Sequence, residues 1–238
     1  MLEKIPVSIV IPTYNRILKL FRLLKSLDRL NPIPDEIIIV DDNSKDKTKE
    51  LLIKWKKIKR EYEKKIILKP LNKGPADSRN LGLFSSKNEL VAFTDDDVIV
   101  HKDWIKYITL KLFKSDTNLA GVGGVVKSVN NDILSQYYTE HRILEAPKHL
   151  NYLPTVNCCF KVEPLIDLGG FNKKFTFAGG EDTDLCLRLR MKGYLFKKEQ
   201  KAIVYHDFSS NFLDFCKMWI RYGKGTQMAL INSQRGNK

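Results

Sequence analysis

The chain has 238 residues, of which 43% are hydrophobic, 29% charged and 10% aromatic, values that exclude a disordered or low-complexity protein. Lysine and arginine outnumber aspartate and glutamate by 41 to 28, and the formal net charge of +13 favours anionic partners such as nucleic acid, phosphorylated metabolites or an acidic lipid surface. No run approaches the ~20 apolar residues of a membrane-crossing helix. MLEKIPVSIVIPTYNR lacks the pattern of an export signal, and Cys158, Cys159, Cys186 and Cys216 form no disulfide or CxxC framework, so a cytoplasmic setting is expected.

Residues 7–11 read as a buried strand, 17–30 as a helix with Leu20, Leu23, Leu24 and Leu27 on one face, and 36–40 as a second strand. A helix over 46–62 puts Leu51, Trp55, Ile58 and Tyr62 opposite the lysines of KWKKIKREYEKK, a run that reads equally as a solvated face or an anion-facing patch. A strand at 66–68, a helix from about Ala76 and a strand at 90–93 follow. Such alternation predicts an α/β fold with a mostly parallel sheet, whose ligands bind at the carboxyl ends of the strands. PTYN, DDNS and the triple aspartate all fall at those ends.

Beyond about residue 115 the alternation weakens. A strand at 120–129, a helix at 133–144, a strand at 155–162, the loop LGGFNKKF, a helix at 182–192 and a strand at 202–205 are expected. From 208 onward Phe212, Phe215, Trp219 and Tyr222 recur at helical spacing. With no linker or repeat in view, one domain over 1–238 is expected, with a nucleotide-binding part to about 115 and an acceptor-shaping part from about 116.

Four clusters can carry chemistry. In FTDDDVIV, strand alternation would put Asp95 and Asp97 on one side and Asp96 on the other, and paired carboxylates suit a hard cation such as Mg²⁺ or Mn²⁺. An acidic turn, or a helix N-terminus before Trp104, is the other reading. Three adjacent carboxylates repel, and the expected compensation is a bound metal rather than the protein's own lysines. In AGGEDTDLCLRLRMKGY the acids at the start of a helix suit its dipole, yet Gly179 and Gly180 would let a substrate approach Glu181 and Asp182, a place for a general base. In NKGPADSRN, Arg79 opposes the helix dipole, which points to an anion or to a salt bridge with a nearby aspartate. His206 ends the strand in AIVYHD and alone reads more readily as a hydrogen-bonded residue than as a ligand.

Taken in order, VSIVIPTYNR, DEIIIVDDNSKDKT, NKGPADSRNLGL, FTDDDVIV, GGFNKKF, GGEDTDLCLRLRMKGY and AIVYHD resemble the family 2 glycosyltransferases over nearly the whole chain. The resemblance implies the GT-A fold and an inverting, non-processive, metal-dependent transfer of a sugar from a nucleotide-diphospho-sugar, expected to be UDP-linked, to an acceptor hydroxyl. It implies that Pro12, Thr13, Tyr14, Asn15 and Arg16 meet the base, that Asp41 and Asp42 contact base and ribose, and that Arg79 lies beside the nucleotide. Asp95 and Asp97 match the family's DxD motif. Asp97 is then the direct ligand of Mn²⁺ or Mg²⁺ with Asp95 and His206, and Asp96 or Asp95 lies near the ribose. Asp182 matches the catalytic base and Glu181 its neighbour in the acceptor site.

The QxxRW motif and membrane spans of processive synthases are absent; RYGKG stands there instead, after FLDFCKMW. That segment could pack on the domain, close over diphosphate or rest on an anionic lipid surface at the inner membrane face. The acceptor could be lipid-linked or a glycan. A sugar-phosphate nucleotidyltransferase would show a glycine-rich phosphate loop, which PTYNR lacks. A non-catalytic nucleic-acid binder would show interleaved basic and aromatic strand residues, so no nucleic-acid partner is expected.

Overall fold

The computed structural model describes residues 3–114 and 118–235. Its first part alternates β1 (Lys4–Thr13), α1 (Ile17–Leu27), β2 (Ile33–Asp41), α2 (Thr48–Lys57), β3 (Glu63–Leu68), α3 (Pro75–Ser85) and β4 (Leu90–Thr94). These strands are apolar because helices cover both faces of the sheet. Val7, Ile9, Ile11, Ile37, Ile39 and Ala92 pack on one face against Leu20, Leu23, Leu24 and Leu27, while Val10, Ile38, Val40, Val91 and Phe93 pack on the other against Ala76 and Leu83. Arg16, at the N-cap of α1, makes no capping bond, and among the described residues the only side chain accepting from its first turn is Asp46, from Ile17 N at 3.2 Å. At about 1.5–3 kcal/mol for each fully buried leucine, the apolar face of α1 outweighs the ~1 kcal/mol a cap would add.

The second part contributes β5 (Val98–Val100), α4 (Trp104–Phe113), β6 (Leu119–Ser128), α5 (Ile133–Glu140), β7 (Asn157–Lys161), α6 (Val162–Asp167), α7 (Glu181–Met191), β8 (Leu195–His206) and α8 (Phe212–Arg235). All strands join one sheet in the order β3-β2-β1-β4-β7-β6-β8-β5. Pairings from β3 to β4 are parallel, as expected, and so is β6 with β8. The sheet is mostly parallel, as expected: only β7, antiparallel to both β4 and β6, and β5, antiparallel to β8, oppose the other six described strands. Asn157 at the start of β7 pairs with Thr94 at the end of β4. The loop before β7 therefore lies over the carboxyl edge where β1, β2, β4, β6 and β8 end.

Three helices end earlier than their periodicity predicts, α1 at Leu27 among them. α2 stops at Lys57 because Lys64 Nζ donates to the carbonyls of Trp55 and Ile58, each at 2.7 Å. Arg60 then forks onto Asp28 at 2.8 and 2.7 Å, and Tyr62 donates to Asp28 Oδ1 at 2.7 Å. Those members of the basic run are structural. α5 stops at Glu140, before Arg142 turns left-handed with φ 52°.

Candidate active site

Strand β4 ends at Thr94, and residues 95–97 leave it as a turn before β5. Alternation stops with the strand, so Asp95 and Asp97 do not share a side, contrary to the strand reading. Asp95 Oδ1 accepts Arg79 Nη2 at 2.7 Å. Asp96 accepts Thr13 Oγ1 at 2.7 Å and Arg16 Nη1 at 3.0 Å, and the same Arg16 nitrogen reaches Asp97 Oδ2 at 2.7 Å. His206 Nε2 stands 3.2 Å from Asp97 Oδ1, and Lys19 Nζ lies 3.9 Å from Oδ2.

The pairing of Val98 with His206, and the bond from Asp207 N to Asp97 O at 2.8 Å, bring the histidine there. The triple aspartate is thus compensated by Arg16, Arg79 and His206 of the protein itself, which corrects the expectation that compensation comes only with a metal. Burial pushes the Asp96 carboxyl upward against the opposing charge of Arg16, with Asp97 adding to the rise. Burial acts the same way on Asp97, but the charges of His206, Arg16 and Lys19 override it and hold that carboxyl well below its usual range.

Next to this cluster lies a cavity of about 310 Å³ bordered by Pro12, Thr13, Tyr14, Arg16, Asp42, Arg79, Asp95 and Asp96. Asn15 and Asp41 do not border it. Asn15, left-handed at φ 53°, receives Lys45 N at 2.6 Å and donates its own N–H to Ser44 Oγ at 2.9 Å, while Asp41 accepts Ser44 N at 3.2 Å. Both brace the loop after β2. Asp42 accepts Lys73 N at 3.0 Å and Gly74 N at 2.8 Å and pairs with Lys69, a buried cation that also holds Asp77 at 2.9 Å. Lys69 carried no motif that would have singled it out. Gly74 has φ 87°, and a Cβ there would collide with the carbonyl of Thr176, so only glycine lets that loop form the cavity wall.

A second cavity of about 200 Å³ holds Glu181 and Asp182 in the first turn of α7. Glu181 accepts Arg79 Nη1 at 2.8 Å and Gly179 N at 2.6 Å. Asp182 accepts Thr183 N at 2.8 Å, and burial pushes its carboxyl up to about 7, with Glu181's charge adding to the rise and Arg79 opposing it. Arg79 and Asp95 border both cavities and form the partition between them. Tyr152, Trp219 and Tyr222 line this second cavity too. From the sequence the α8 segment could pack on the domain, close over diphosphate or rest on a lipid surface, and nothing in it marks a place beside Asp182. α8 reaches the site because Gly225 lies against the backbone of Gly179 and Gly180, where any Cβ would collide.

Residues for a divalent cation can be judged from atoms left unsatisfied. His206 Nδ1 is buried without a hydrogen bond, and Asp97 Oδ1 meets only His206 Nε2, at 3.2 Å, among the described residues. A carboxylate facing an imidazole suits Mn²⁺. Among the described residues no three His, Cys, Asp or Glu side chains converge on one point, and Asp95 is engaged by Arg79 instead, at 2.7 Å.

The chain matches the family described as Glycosyl transferase family 2 over residues 8–167, and a second family, the N-terminal domain of galactosyltransferase, over 144–207. A pre-mycofactocin glycosyltransferase of Mycobacterium tuberculosis is 30% identical over 227 residues, which cover 91% of this chain and 46% of that protein. Chondroitin synthase of Escherichia coli is 28% identical over 244 residues, 84% of this chain and 34% of that one. The chain spans less than half the length of these two relatives. Among solved structures, a mannosyltransferase of Pyrobaculum calidifontis in complex with GDP-Man and Mn²⁺ superposes with TM-score 0.76 at 19% identity, covering 97% of this chain and 64% of that one. TarS of S. aureus in complex with UDP-GlcNAc superposes with TM-score 0.65 at 21% identity, covering 87% and 60%. Both likenesses show the GT-A fold. With one family matched from β1 through α6, a stretch that contains Arg16, Arg79 and the triple aspartate, this chain belongs to the family 2 glycosyltransferases.

Proposed function

We propose that the chain is an inverting, non-processive transferase moving a sugar from a nucleotide-diphospho-sugar, UDP-linked, to an acceptor hydroxyl. One observation carries this reading: two cavities meet at the Arg79–Asp95 pair, one bordered by Thr13, Arg16 and Asp96, the other holding a carboxyl that ionises near neutrality. The relatives' nucleotide-sugar complexes support the donor class.

Thr13, Tyr14 and Arg16 hold the nucleotide in the larger cavity, with Asp42 keeping its far wall in place. Asp182 in the smaller cavity takes the proton of the acceptor hydroxyl. The acceptor oxygen forms its bond to the anomeric carbon from the face opposite the leaving group, the bond to phosphate breaks, and the electron pair leaves with the nucleoside diphosphate. Glu181 fixes Arg79 so that its guanidinium stays beside the reacting carbon. When a divalent cation, Mn²⁺ or Mg²⁺, is held by Asp97 and His206, it supplies neutralisation of the charge gathering on the diphosphate.

No helix among the described residues is long and apolar enough to cross a membrane. Peripheral contact with an anionic membrane face is part of the proposal: Phe212, Leu213 and Ile220 are exposed on α8 near Lys217 and Lys224. Co-sedimentation with anionic but not neutral vesicles checks it. The donor reading is tested by thermal stabilisation with a panel of UDP- and GDP-sugars, with and without Mn²⁺, followed by release of the nucleoside diphosphate. If none of them stabilises the chain in Mn²⁺, the reading fails.

A further inference from the structure

The cavity that holds Asp182 does not end at its aromatic wall. Tyr152 and Trp219 line it and also line a larger cavity of about 760 Å³, so the two open along the same pair of rings. Rings line one side of the larger space: Trp219, Tyr152, and Tyr137 stacked on His141 at 4.1 Å, with Phe215 behind them, 6.2 Å from Trp219 and 5.6 Å from Tyr137.

The rest of its lining comes from the loop between α5 and β7. Arg142 and Leu150, both lining residues, hold left-handed backbone at φ 52° and 50°. For residues other than glycine this backbone is strained, and such strain gathers where ligands are held. Lys198 in the same lining is paired with Glu145. Arg142 and Lys148 are exposed and have no carboxylate within ion-pair distance among the described residues.

A pyranose ring has an apolar C–H face and a polar rim, and it is matched by an aromatic strip with polar groups along its edge. Unpaired cations beside that strip ask for acidic substituents. We propose that the acceptor is an extended anionic oligosaccharide: its terminal hydroxyl lies at Asp182, its next sugars cross Tyr152 and Trp219, and its acid groups face Arg142 and Lys148. This deepens the transferase reading and rests on it.

The test uses the full chain with two sets of probes, alternating uronic acid–hexosamine oligosaccharides and neutral malto-oligosaccharides, each from monosaccharide through tetrasaccharide. Affinity is read by calorimetry and by quenching of tryptophan fluorescence. For the acidic series it rises about tenfold from monosaccharide to tetrasaccharide, and that ratio collapses in Trp219→Ala and in Arg142→Ala combined with Lys148→Ala. The two cations are exposed, so the double variant folds even if the tryptophan variant does not. An acidic tetrasaccharide that binds no better than its monosaccharide, or neutral probes that gain as much, overturn the proposal. Mn²⁺-dependent hydrolysis of nucleotide sugar by the unaltered chain separates the two readings. If hydrolysis stands without the length effect, only the extended acceptor falls; if hydrolysis is absent, the transferase reading falls.

Discussion

Asp182→Asn keeps the size of the side chain and removes its ability to take a proton. In the folded chain burial lifts the carboxyl from its usual 3.8 to about 7, because a charge there faces Glu181 across a partly closed cavity. As a base it works only when ionised, so transfer by the unaltered chain rises about tenfold per pH unit below 7 and levels off above about 8. The Asn variant loses about 10²–10⁴-fold in kcat and loses that slope, while nucleotide binding remains.

The same shift fixes the sign of a stability effect. Between about pH 4 and 7 the folded chain binds the Asp182 proton and the unfolded chain does not, so stability falls as pH rises through that window. A shift of about three units corresponds to about 4 kcal/mol undamped. Asp182 is only partly buried, and water screens it to about 1–2 kcal/mol. The variant is therefore more stable than the parent at pH 8 by that amount and equal to it near pH 4. Stopped assays of product across pH 5.5 to 8.5, with urea unfolding at both ends, read both effects. A flat rate profile in the parent, or wild-type turnover in the variant, refutes the base assignment.

Arg79→Met leaves Glu181 buried without its partner and costs about 3–5 kcal/mol in urea unfolding, and adding Glu181→Gln restores most of it. Gly225→Ala puts a methyl against the Gly179 backbone, which cannot yield as a side chain would; a loss of about 1–3 kcal/mol and a raised acceptor KM are expected from thermal melts and kinetics. Asp97→Ala removes the Mn²⁺-dependent part of nucleotide-sugar stabilisation, as a chelator does with the parent chain, and equal melting shifts with and without chelator would show the metal assignment to be wrong.

What could be read from the sequence was local. Continuous apolar runs identify strands covered on both faces, so β1, β2 and β4 and their polar ends stand out. ED after paired glycines and Arg79 near the start of a helix are likewise short-range signals. The handedness of the cluster was not local. Whether Asp95 and Asp97 share a side depends on where β4 stops, and a turn gives no periodicity by which to see it. β5 is three residues long and exists as a strand only because β8 pairs with it, and that pairing is what carries His206 to Asp97. Likewise the spacing of Trp219 and Tyr222 left packing, closure over diphosphate and lipid contact open; the close approach of Gly225 to Gly179 and Gly180 is what turns that face of α8 toward the site.

The net charge of +13 belongs to the chain and not to its cleft. Asp95, Asp96, Asp97, Glu181 and Asp182 gather around the two cavities, against the obligate cations Arg16, Arg79 and Lys19 and the ionisable His206. Even with Asp182 or Asp96 protonated, the cleft is close to neutral, and each like-charge pair at about 4 Å adds about 1–4 kcal/mol of repulsion. A nucleoside diphosphate adds further negative charge. If Arg16 swung from Asp96 and Asp97 to meet it, those buried carboxylates would lose the cation that now bridges them. Were Asp97 and His206 to hold a divalent cation, as proposed, it would supply the positive charge that Arg16 now gives Asp97, and Arg16 would be free to meet phosphate. In this view the two arginines have different parts: Arg16 holds Asp96 and Asp97 in place before the donor arrives and would be the one to move, while Arg79 stays on Asp95 and Glu181.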